Sequence, residues 1–388
     1  MKPLRIGLLW HSLRAGNLGV GALTLGNMTI IREVAEELGR DVEFVVLSMR
    51  ESYTQSIAPG VKQFEIDTRA MVSPGGFWSE IGSLDAVVDI GAGDSFADIY
   101  GAKRFGFMWL SKQLTTARRI PLILAPQTIG PFENPVLRRL AKSVMEQAEA
   151  VVARDRKSLA AIEETAPKAN SHLAVDVAFK LPFEDRSSLR GSNGKFRLGI
   201  NASGLLCRQA ETKENRFGLS FDYLRLHRRL IDHFTSSNDV EVHLVTHANS
   251  AKDKSDDDGA RADALHAEFP RTIRVPDFAD PSEAKSYISG LDFLIAGRMH
   301  ACIAAFSSCT PVVPIAYSRK FSGLFGLLEY PWLTPVSGMT EDEAFDFIIA
   351  SIGETDAMQA AESAALDKVE TMLDGYRTVL RAQFAKNT

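Results

Sequence analysis

The sequence predicts an α/β protein of two domains, each with a parallel β-sheet covered by helices. The chain has 388 residues, which is a comfortable length for two domains. Short apolar segments typical of buried strands alternate with amphipathic segments typical of helices, and this alternation indicates parallel sheets. The polar segment 182–194 interrupts the alternation and has the composition of an interdomain linker.

The first set of strands predicts a Rossmann-like N-terminal domain at residues 1–185. Its apolar segments are followed by turns and helical patterns, as in a doubly wound sheet. The predicted strands are residues 5–10, 42–48, 84–90, 121–125, 150–153 and 172–176, with helices at 22–38 and 135–148 and another starting near residue 157.

A second set predicts a Rossmann-like C-terminal domain at residues 195–355. Its strands are residues 197–201, 240–246, 272–275, 293–296 and 312–316, and its helices are 223–235, 260–268, 282–289 and 299–307. Two successive Rossmann-like domains suggest a GT-B-like arrangement with the active site in the interdomain cleft. Residues 356–388 are expected to form a long helix that packs back on the domains.

Composition and charge argue against several classes of protein. Hydrophobic residues make up 45% and charged residues 24%, as in globular proteins. A net charge of −5 gives no basic footprint for nucleic acid. No apolar run reaches the ~18–20 residues of a membrane span, and His11, Ser12 and Arg14 interrupt the apolar start expected of a signal peptide. We therefore expect a cytoplasmic protein.

The sequence has no metal or disulfide signature. Cys207, Cys302 and Cys309 form no CxxC pair, and the latter two lie in an apolar run typical of buried thiols. The acidic run 253–258 favours a solvated loop tip over a contact with a sugar or metal, because the spaced ligands of a calcium loop are absent.

A glycine-rich turn at residues 15–22 follows the first strand and opens a helix. A helix N-terminus offers unpaired N–H groups to an anion, and glycine allows close backbone approach. The turn lacks GxGxxG spacing, and no acidic residue ends the second strand, which disfavours NAD. Substrate contact through Asn17 and a tight packing turn both remain open.

Two further candidates end strands of the first domain. Asp94 closes the turn 91–94, where it would contact an acceptor or act as a base, or would N-cap a following helix. Arg154 follows the strand 150–153, and its planar fork suits a carboxylate or phosphate. The neighbouring Arg156 is expected at the surface, paired with Asp155 or Glu163.

The strongest local signal lies in the second domain. The strand 293–296 ends at a glycine, so that Arg298 and His300 occupy the first turn of the next helix, near its positive end. Lys320 follows the strand 312–316, where it would hold an anion or be exposed. His247 and His11 each close a strand without forming a metal-binding set.

Several short motifs follow one another between residues 6 and 326. They are Asn17-Leu18-Gly19 with a following Ala-Leu, the turn 91–94, Gln127-Thr128-Ile129-Gly130-Pro131-Phe132, Ala153-Arg154-Asp155, Asn201-Ala202-Ser203-Gly204-Leu205-Leu206, Phe217-Gly218-Leu219, and Arg298-Met299-His300 with Tyr317 and Lys320. In this order they resemble the polysaccharide pyruvyltransferase family. Ala92 departs from the commoner glycine, and Met299 departs from the common leucine with little change in volume.

The resemblance implies transfer of a pyruvyl group from phosphoenolpyruvate onto a sugar, giving a ketal. His300 is then expected to be the general acid that protonates the methylene carbon. Arg298 and Arg154 would hold the donor's carboxylate and phosphate and stabilise the departing phosphate. The other implied site residues are Tyr317, Ser318 and Lys320 on the donor side, and Asn17, Asp94, Gln127, Asn201 and His247 on the acceptor side.

No metal or cofactor is expected beyond phosphoenolpyruvate, because arginines already supply positive charge. The expected partners are this donor and a sugar or glycan of a cell-wall polymer or exopolysaccharide, with peripheral membrane contact where the acceptor is lipid-linked. Two alternatives stay open: a GT-B glycosyltransferase that uses a nucleotide sugar, and a non-catalytic relative that binds an anion or sugar. The sequence leaves homo-oligomerisation open, and loop 207–217 carries no pattern that identifies the acceptor.

Overall fold

The computed structural model describes residues 2–14, 16–51, 56–212, 214–249 and 256–387. Contacts divide the chain into two compact units. Unit 1 comprises Met1–Ala15, Leu23–Lys180 and Val369–Thr388, and unit 2 comprises Gly16–Ala22 and Leu181–Lys368. Each unit contains one parallel sheet, so the predicted α/β architecture with two sheets is confirmed.

The sheet of unit 1 has seven strands in the order β3-β2-β1-β4-β5-β6-β7. All neighbouring pairs are parallel. The order reverses between β1 and β4, which is where an open α/β sheet forms its ligand-binding crevice. The strands are β1 Leu4–Leu9, β2 Val42–Ser48, β3 Lys62–Glu65, β4 Ala86–Asp89, β5 Leu122–Gln127, β6 Ala150–Ala153 and β7 Ser171–Leu173.

Helices cover this sheet. Several begin at a side chain that accepts the first free N–H groups, such as Asn134 before Pro135 and Asp155 before Arg156. Within the buried core, Phe96 and Phe105 stack, and Phe132 packs edge-on against both rings. The helices are α1 Leu18–Glu37, α2 Thr68–Val72, α3 Phe77–Ile81, α4 Ala102–Ala117, α5 Pro135–Met145 and α6 Arg156–Thr165.

The sheet of unit 2 has six parallel strands in the order β10-β9-β8-β11-β12-β13. Its order reverses between β8 and β11. The strands are β8 Phe196–Asn201, β9 Val240–Leu244, β10 Ile273–Arg274, β11 Phe293–Ala296, β12 Val312–Ala316 and β13 Thr334–Pro335. The helices are α7 Gly204–Thr212, α8 Tyr223–Thr235, α9 Asp258–Glu268, α10 Pro281–Ser289, α11 Met299–Phe306, α12 Arg319–Leu327, α13 Glu341–Ile352 and α14 Thr355–Phe384.

The units divide the chain differently from the predicted boundaries of 1–185, 195–355 and 356–388. Residues 181–194 belong to unit 2, where Arg190 donates hydrogen bonds to the carbonyls of Ser289, Ser308 and Cys309. The segment with linker composition is therefore packed. Helix α14 passes from unit 2 into unit 1 at residue 369.

None of the described helices has an apolar stretch long enough to cross a membrane. The described residues also contain no cluster of three or more His, Cys, Asp or Glu side chains that could hold a metal ion. Cys302 is buried, as expected, whereas Cys309 is only half-buried. Burial raises the pKa of both thiols.

Candidate functional site

In unit 2, residues that follow three strands meet at the carboxylate of Asp258, which is 1% exposed. Its Oδ2 accepts hydrogen bonds from Asn201 Nδ2 and from the backbone N–H groups of His247 and Ala248, each at 3.1 Å. Its Oδ1 accepts the N–H of Gly204 at 2.9 Å. These contacts tie the carboxyl ends of β8 and β9 to the first residue of α9.

Arg298, which follows β11, completes the cluster. Its Nη2 lies 2.7 Å from Asp258 Oδ1 and 2.6 Å from Asp256 Oδ1. Its backbone N–H donates to Asn201 Oδ1 at 3.0 Å. Burial alone would lower the pKa of Arg298, but the two carboxylates raise it above its usual value. The guanidinium is therefore charged and held in one orientation at the reversal point of the sheet.

The segment Gly16–Ala22 belongs to unit 2, although its position in the sequence suggested the N-terminal domain. Asn17 forms an antiparallel bridge with Ala248, and the N–H of Leu18 donates to the carbonyl of His247 at 3.2 Å. Asn17 is exposed. The segment therefore adds a strand-like contact to the loop that follows β9.

The first N–H groups of α1 are not free for an anion. Asn17 Oδ1 accepts the N–H of Gly19 at 3.0 Å, and the Asn17 carbonyl accepts that of Val20 at 3.1 Å. The N–H of Leu18 donates to the carbonyl of His247. The expectation of unpaired N–H groups at this turn is therefore wrong for these three residues, because the chain satisfies them itself.

His300 lies in the first turn of α11, as predicted, whereas Arg298 is the extended residue that precedes this helix. The half-buried imidazole ring of His300 packs against Gly19. His247, which is buried, lies three residues beyond the end of β9. Burial and, to a smaller extent, the charge of His300 together lower the pKa of His247 to about 3. His247 is therefore neutral at physiological pH.

Three predicted donor residues follow β12. Tyr317 is half-buried and packs edge-on against Phe217, with ring centroids 4.9 Å apart, and against Phe321. Ser318 precedes α12, and among the described residues its buried Oγ has no hydrogen-bond partner. Lys320 lies half-buried in the first turn of α12. All three belong to unit 2, as do Arg298 and His300.

In unit 1, Arg154 joins residues that follow three strands. Its Nη1 lies 2.7 Å from Asp176 Oδ2, and its Nε donates to Thr128 Oγ1 at 2.9 Å. Arg154 is 3% exposed. Arg156 is exposed, as expected, but Asp155 accepts a backbone N–H as the N-cap of α6. The predicted pairing of Asp155 with an arginine is replaced by this cap.

The turn at residues 91–94 has a left-handed backbone. Ala92 has φ 49° and is flanked by two glycines that also have positive φ. This conformation favours glycine, which gives a physical reason for the commoner residue at position 92. The Asp94 carboxylate accepts a hydrogen bond from Tyr100. The helix-capping alternative for Asp94 is wrong, because the next α-helix begins at Ala102.

Gln127 supports this turn from the sheet. Its side chain is fully buried, and its Nε2 donates to the carbonyl and the carboxylate of Asp89 at 3.0 Å each. A Cβ atom on Gly91 would lie 2.0 Å from Gln127 Oε1. Lys112 pairs with Asp89 at 3.0 Å, and both are fully buried. Burial lowers the pKa of Lys112, and the carboxylate opposes that shift.

Sequence reasoning missed the central position of Asp258 and the contact of Gly19 with His300. Residues 253–255 of the acidic run and residue 213 lie outside the described part of the chain. The expectation of a loop at 207–217 is wrong for residues 207–212, which belong to helix α7. The solvated-tip expectation is wrong for Asp258, which is buried because four N–H or NH₂ donors and a guanidinium surround it. Its one available signal was the Asp-Asp-Gly start of the helical pattern in α9.

Comparison with known proteins gives a family and a fold. A family model described as polysaccharide pyruvyl transferase matches residues 18–319. The chain is similar to a solved structure of a putative UDP-N-acetylglucosamine 2-epimerase from Listeria monocytogenes, with a TM-score of 0.59, 12% identity, and 94% of this chain and 91% of that chain covered.

Two sugar-related structures are similar as well. HepE from Anabaena in complex with UDP and glucose gives a TM-score of 0.57 at 16% identity over 99% of each chain. The spinosyn rhamnosyltransferase SpnG with thymidine diphosphate gives 0.54 at 11% identity over 95% of this chain and 96% of that one. These likenesses show the two-domain α/β fold of GT-B enzymes. A shared fold alone does not identify a substrate.

Proposed function

The chain belongs to the polysaccharide pyruvyl transferase family, and from that premise we propose that it transfers a pyruvyl group from phosphoenolpyruvate to a sugar of a polysaccharide precursor. The product is a pyruvyl ketal, and inorganic phosphate is released. The observation that carries this proposal is the position of His300, in the first turn of α11, two residues after a charged, immobilised Arg298 at the reversal point of the second sheet. A proton donor beside a fixed cation suits an anionic enol ester.

The proposed reaction begins at His300, which donates a proton to the methylene carbon of phosphoenolpyruvate. The neighbouring carbon becomes oxocarbenium-like, and a sugar hydroxyl attacks it. A second hydroxyl of the same sugar then displaces phosphate, so that two C–O bonds form and the bond to the phosphate oxygen breaks. One of the two hydroxyl protons passes to His300 and restores its proton, and the other passes to the departing phosphate.

The donor's anionic groups need positive charge and hydrogen-bond donors that are already oriented. Arg298 supplies charge in an orientation set by Asp258. Lys320 supplies a second point charge, and Ser318 supplies a hydroxyl that has no hydrogen-bond partner among the described residues. Arg154 is retained as a proposed donor ligand, with Asn17 and Asp94 proposed on the acceptor side.

A buried hydroxyl adds to the donor side. Ser203 is fully buried two residues after the end of β8, and the described residues offer its Oγ no hydrogen-bond partner. A Cβ on Gly297 would lie 3.2 Å from the Ser203 Cβ. Ser203 therefore adjoins the residue before Arg298. We include its hydroxyl among the groups that bind the donor.

Turnover by His300 variants tests the proposal. The enzyme is incubated with phosphoenolpyruvate and a panel of nitrophenyl glycosides in D₂O, and NMR follows the new methyl signal while phosphate release is measured separately. We expect His300→Ala to lower kcat by about 10²–10⁴-fold, the usual contribution of a general acid. The control, His233→Ala, changes an exposed histidine of α8 and should leave turnover unchanged.

A nucleotide sugar is the competing donor, because HepE was solved with UDP and glucose. The same reactions therefore include UDP-glucose as the donor. Glycosyl transfer from UDP-glucose without any pyruvyl transfer would contradict the proposal. Normal pyruvyl transfer by folded His300→Ala would remove the proposed role of His300.

A further inference from the structure

The segment Gly16–Ala22 is held in unit 2 by the loop that follows β9. The carbonyl of Gly16 accepts the N–H of Asn249 at 2.9 Å, and Asn17 pairs with Ala248. The N–H of Leu18 donates a hydrogen bond to the carbonyl of His247. Backbone contacts on both sides of Asn17 therefore fix the start of α1 within unit 2.

Gly19 lies directly under the ring of His300. A Cβ atom built on Gly19 would lie 2.3 Å from His300 Nδ1 and 2.8 Å from His300 Cγ. The same atom would lie 3.0 Å from Asn17 Oδ1. Real Cβ contacts are not this short, so any side chain at position 19 must displace the imidazole ring.

The backbone itself does not require glycine at this position. Gly19 is inside α1, and its φ is not in the left-handed region. Alanine is favoured over glycine in helices. The space taken by the His300 ring is therefore the physical reason for glycine here.

We propose that Gly19 is a positioning residue for His300: its bare backbone forms the surface on which the imidazole rests. This inference deepens the proposed function and rests on the proposed role of His300. Asn17 assists because its Oδ1 accepts a hydrogen bond from the N–H of Gly19, which fixes the position of that backbone. Residues near the N-terminus thereby set the geometry of a proton donor in unit 2.

The contact differs from another tight glycine of the same helix. A Cβ on Gly26 would lie 2.2 Å from the carbonyl oxygen of Val177 and 2.9 Å from its carbonyl carbon. A backbone group cannot rotate away, whereas the side chain of His300 can. Gly19→Ala should therefore fold with a displaced ring, and Gly26→Ala should disturb the fold itself.

Four variants test the inference: Gly19→Ala, His300→Ala, the double variant, and the control Gly375→Ala. Position 375 lies in α14 and has open space around an added Cβ. We expect Gly19→Ala to lower kcat by about 10²-fold, the usual cost of a misplaced catalytic group. KM for phosphoenolpyruvate should stay within about threefold, because the donor contacts remain. Gly375→Ala should match the parent enzyme.

Thermal unfolding separates displacement of His300 from a general structural loss. Gly19→Ala should lower the Tm of the parent but not that of His300→Ala, because removing the imidazole makes room for the Cβ. If Gly19→Ala does not fold alone, recovery of folding in the double variant supports the inference equally. An NMR shift of the His300 ring in Gly19→Ala, absent in Gly375→Ala, is also expected.

Two results would overturn the inference: an unchanged kcat in Gly19→Ala while His300→Ala loses turnover, or an equal loss of Tm from Gly19→Ala with and without His300. Failure of the proposed function looks different. In that case His300→Ala turns over normally, while the coupling of Tm between positions 19 and 300 persists.

Discussion

Each unit places a buried arginine–aspartate pair at the carboxyl edge of its sheet, but the two pairs are built around opposite partners. In unit 2 the aspartate is central, and Asp258 joins the last residue of β8 to residues that follow β9 and β11. In unit 1 the arginine is central, and Arg154 joins Thr128 after β5 to Asp176 after β7.

The position of each pair along its sheet explains the difference in what it can do. The pair of unit 2 spans the reversal point between β8 and β11, where open α/β sheets bind ligands. The pair of unit 1 lies on β5, β6 and β7, to one side of the reversal point between β1 and β4. We therefore expect the pair of unit 2 to contribute more than the pair of unit 1 both to donor binding and to stability, with Arg154 the weaker of the two proposed donor ligands.

The largest expected effect is that of Asp258→Asn. It removes the charge that Arg298 requires and replaces an acceptor of backbone N–H groups by an NH₂ donor, so we expect a loss of about 3–5 kcal/mol in the free energy of unfolding. Urea unfolding measures it. Asp176→Asn is the matched variant in unit 1 and should cost less. A larger loss of unfolding free energy from Asp176→Asn than from Asp258→Asn would contradict this ranking of the two pairs.

Paired lysine substitutions test the division of roles. Arg298→Lys and Arg154→Lys keep the charge but lose the fork that reaches two partners. We expect Arg298→Lys to lower kcat/KM for phosphoenolpyruvate by about 10²-fold and Arg154→Lys to lower it much less. Steady-state kinetics measure the loss of kcat/KM, and Tm is measured for both variants. Equal losses would show that Arg154 contributes as much to donor binding as Arg298 and would contradict this ranking.

A third difference between the units lies along α14. In the unit 2 half, buried Glu362 accepts a hydrogen bond from Tyr330, and burial raises its pKa to about 8. In the unit 1 half, buried Tyr376 donates to Asn27, and neither group titrates near neutral pH. Only the first of these two contacts should make stability depend on pH.

Because the folded pKa of Glu362 lies above its usual value of 4.5, the folded state binds the extra proton between pH 4.5 and 8. The free energy of unfolding should therefore fall as pH rises through this range, by about 1 kcal/mol per pH unit. Glu362→Gln should flatten this fall in urea titrations at several pH values. Tyr376→Phe is the control and should leave the slope as it is.

The smallest expected effect concerns the second carboxylate on Arg298. The side chain of Asp256 is 41% exposed, whereas that of Asp258 is 1% exposed. Solvent screens the exposed pair, so Asp256→Asn should change the free energy of unfolding by about 0–1 kcal/mol. A loss as large as that of Asp258→Asn would show that both carboxylates are equally required.

Much of the fold was predictable because its strands are continuous apolar runs. The bounds of β2, β6, β11 and β12 agree with the sequence prediction at both ends, as do those of α8. Strand β3, Lys62–Glu65, has the sequence KQFE and lacks such a run, since it lies at the edge of the sheet. Strand β13 has two residues, too few to form a pattern.

The site was predictable in part. Arg298 and His300 were found because strand, glycine and helix follow one another directly in the sequence. Gly19 and His300 are far apart in the sequence, and no local pattern reports that contact. Asp258 was hidden in an acidic run, because burial of one carboxylate depends on donors contributed by distant strands.

The central claim concerns the donor, and calorimetry on the intact protein tests it most directly. Phosphoenolpyruvate, UDP-glucose and a GDP-sugar are titrated separately without added metal, into the parent and into Lys320→Ala. The account predicts binding of phosphoenolpyruvate alone, weakened by about tenfold or more in Lys320→Ala through loss of a charge–anion contact. Binding of a nucleotide sugar with no response to phosphoenolpyruvate would contradict it.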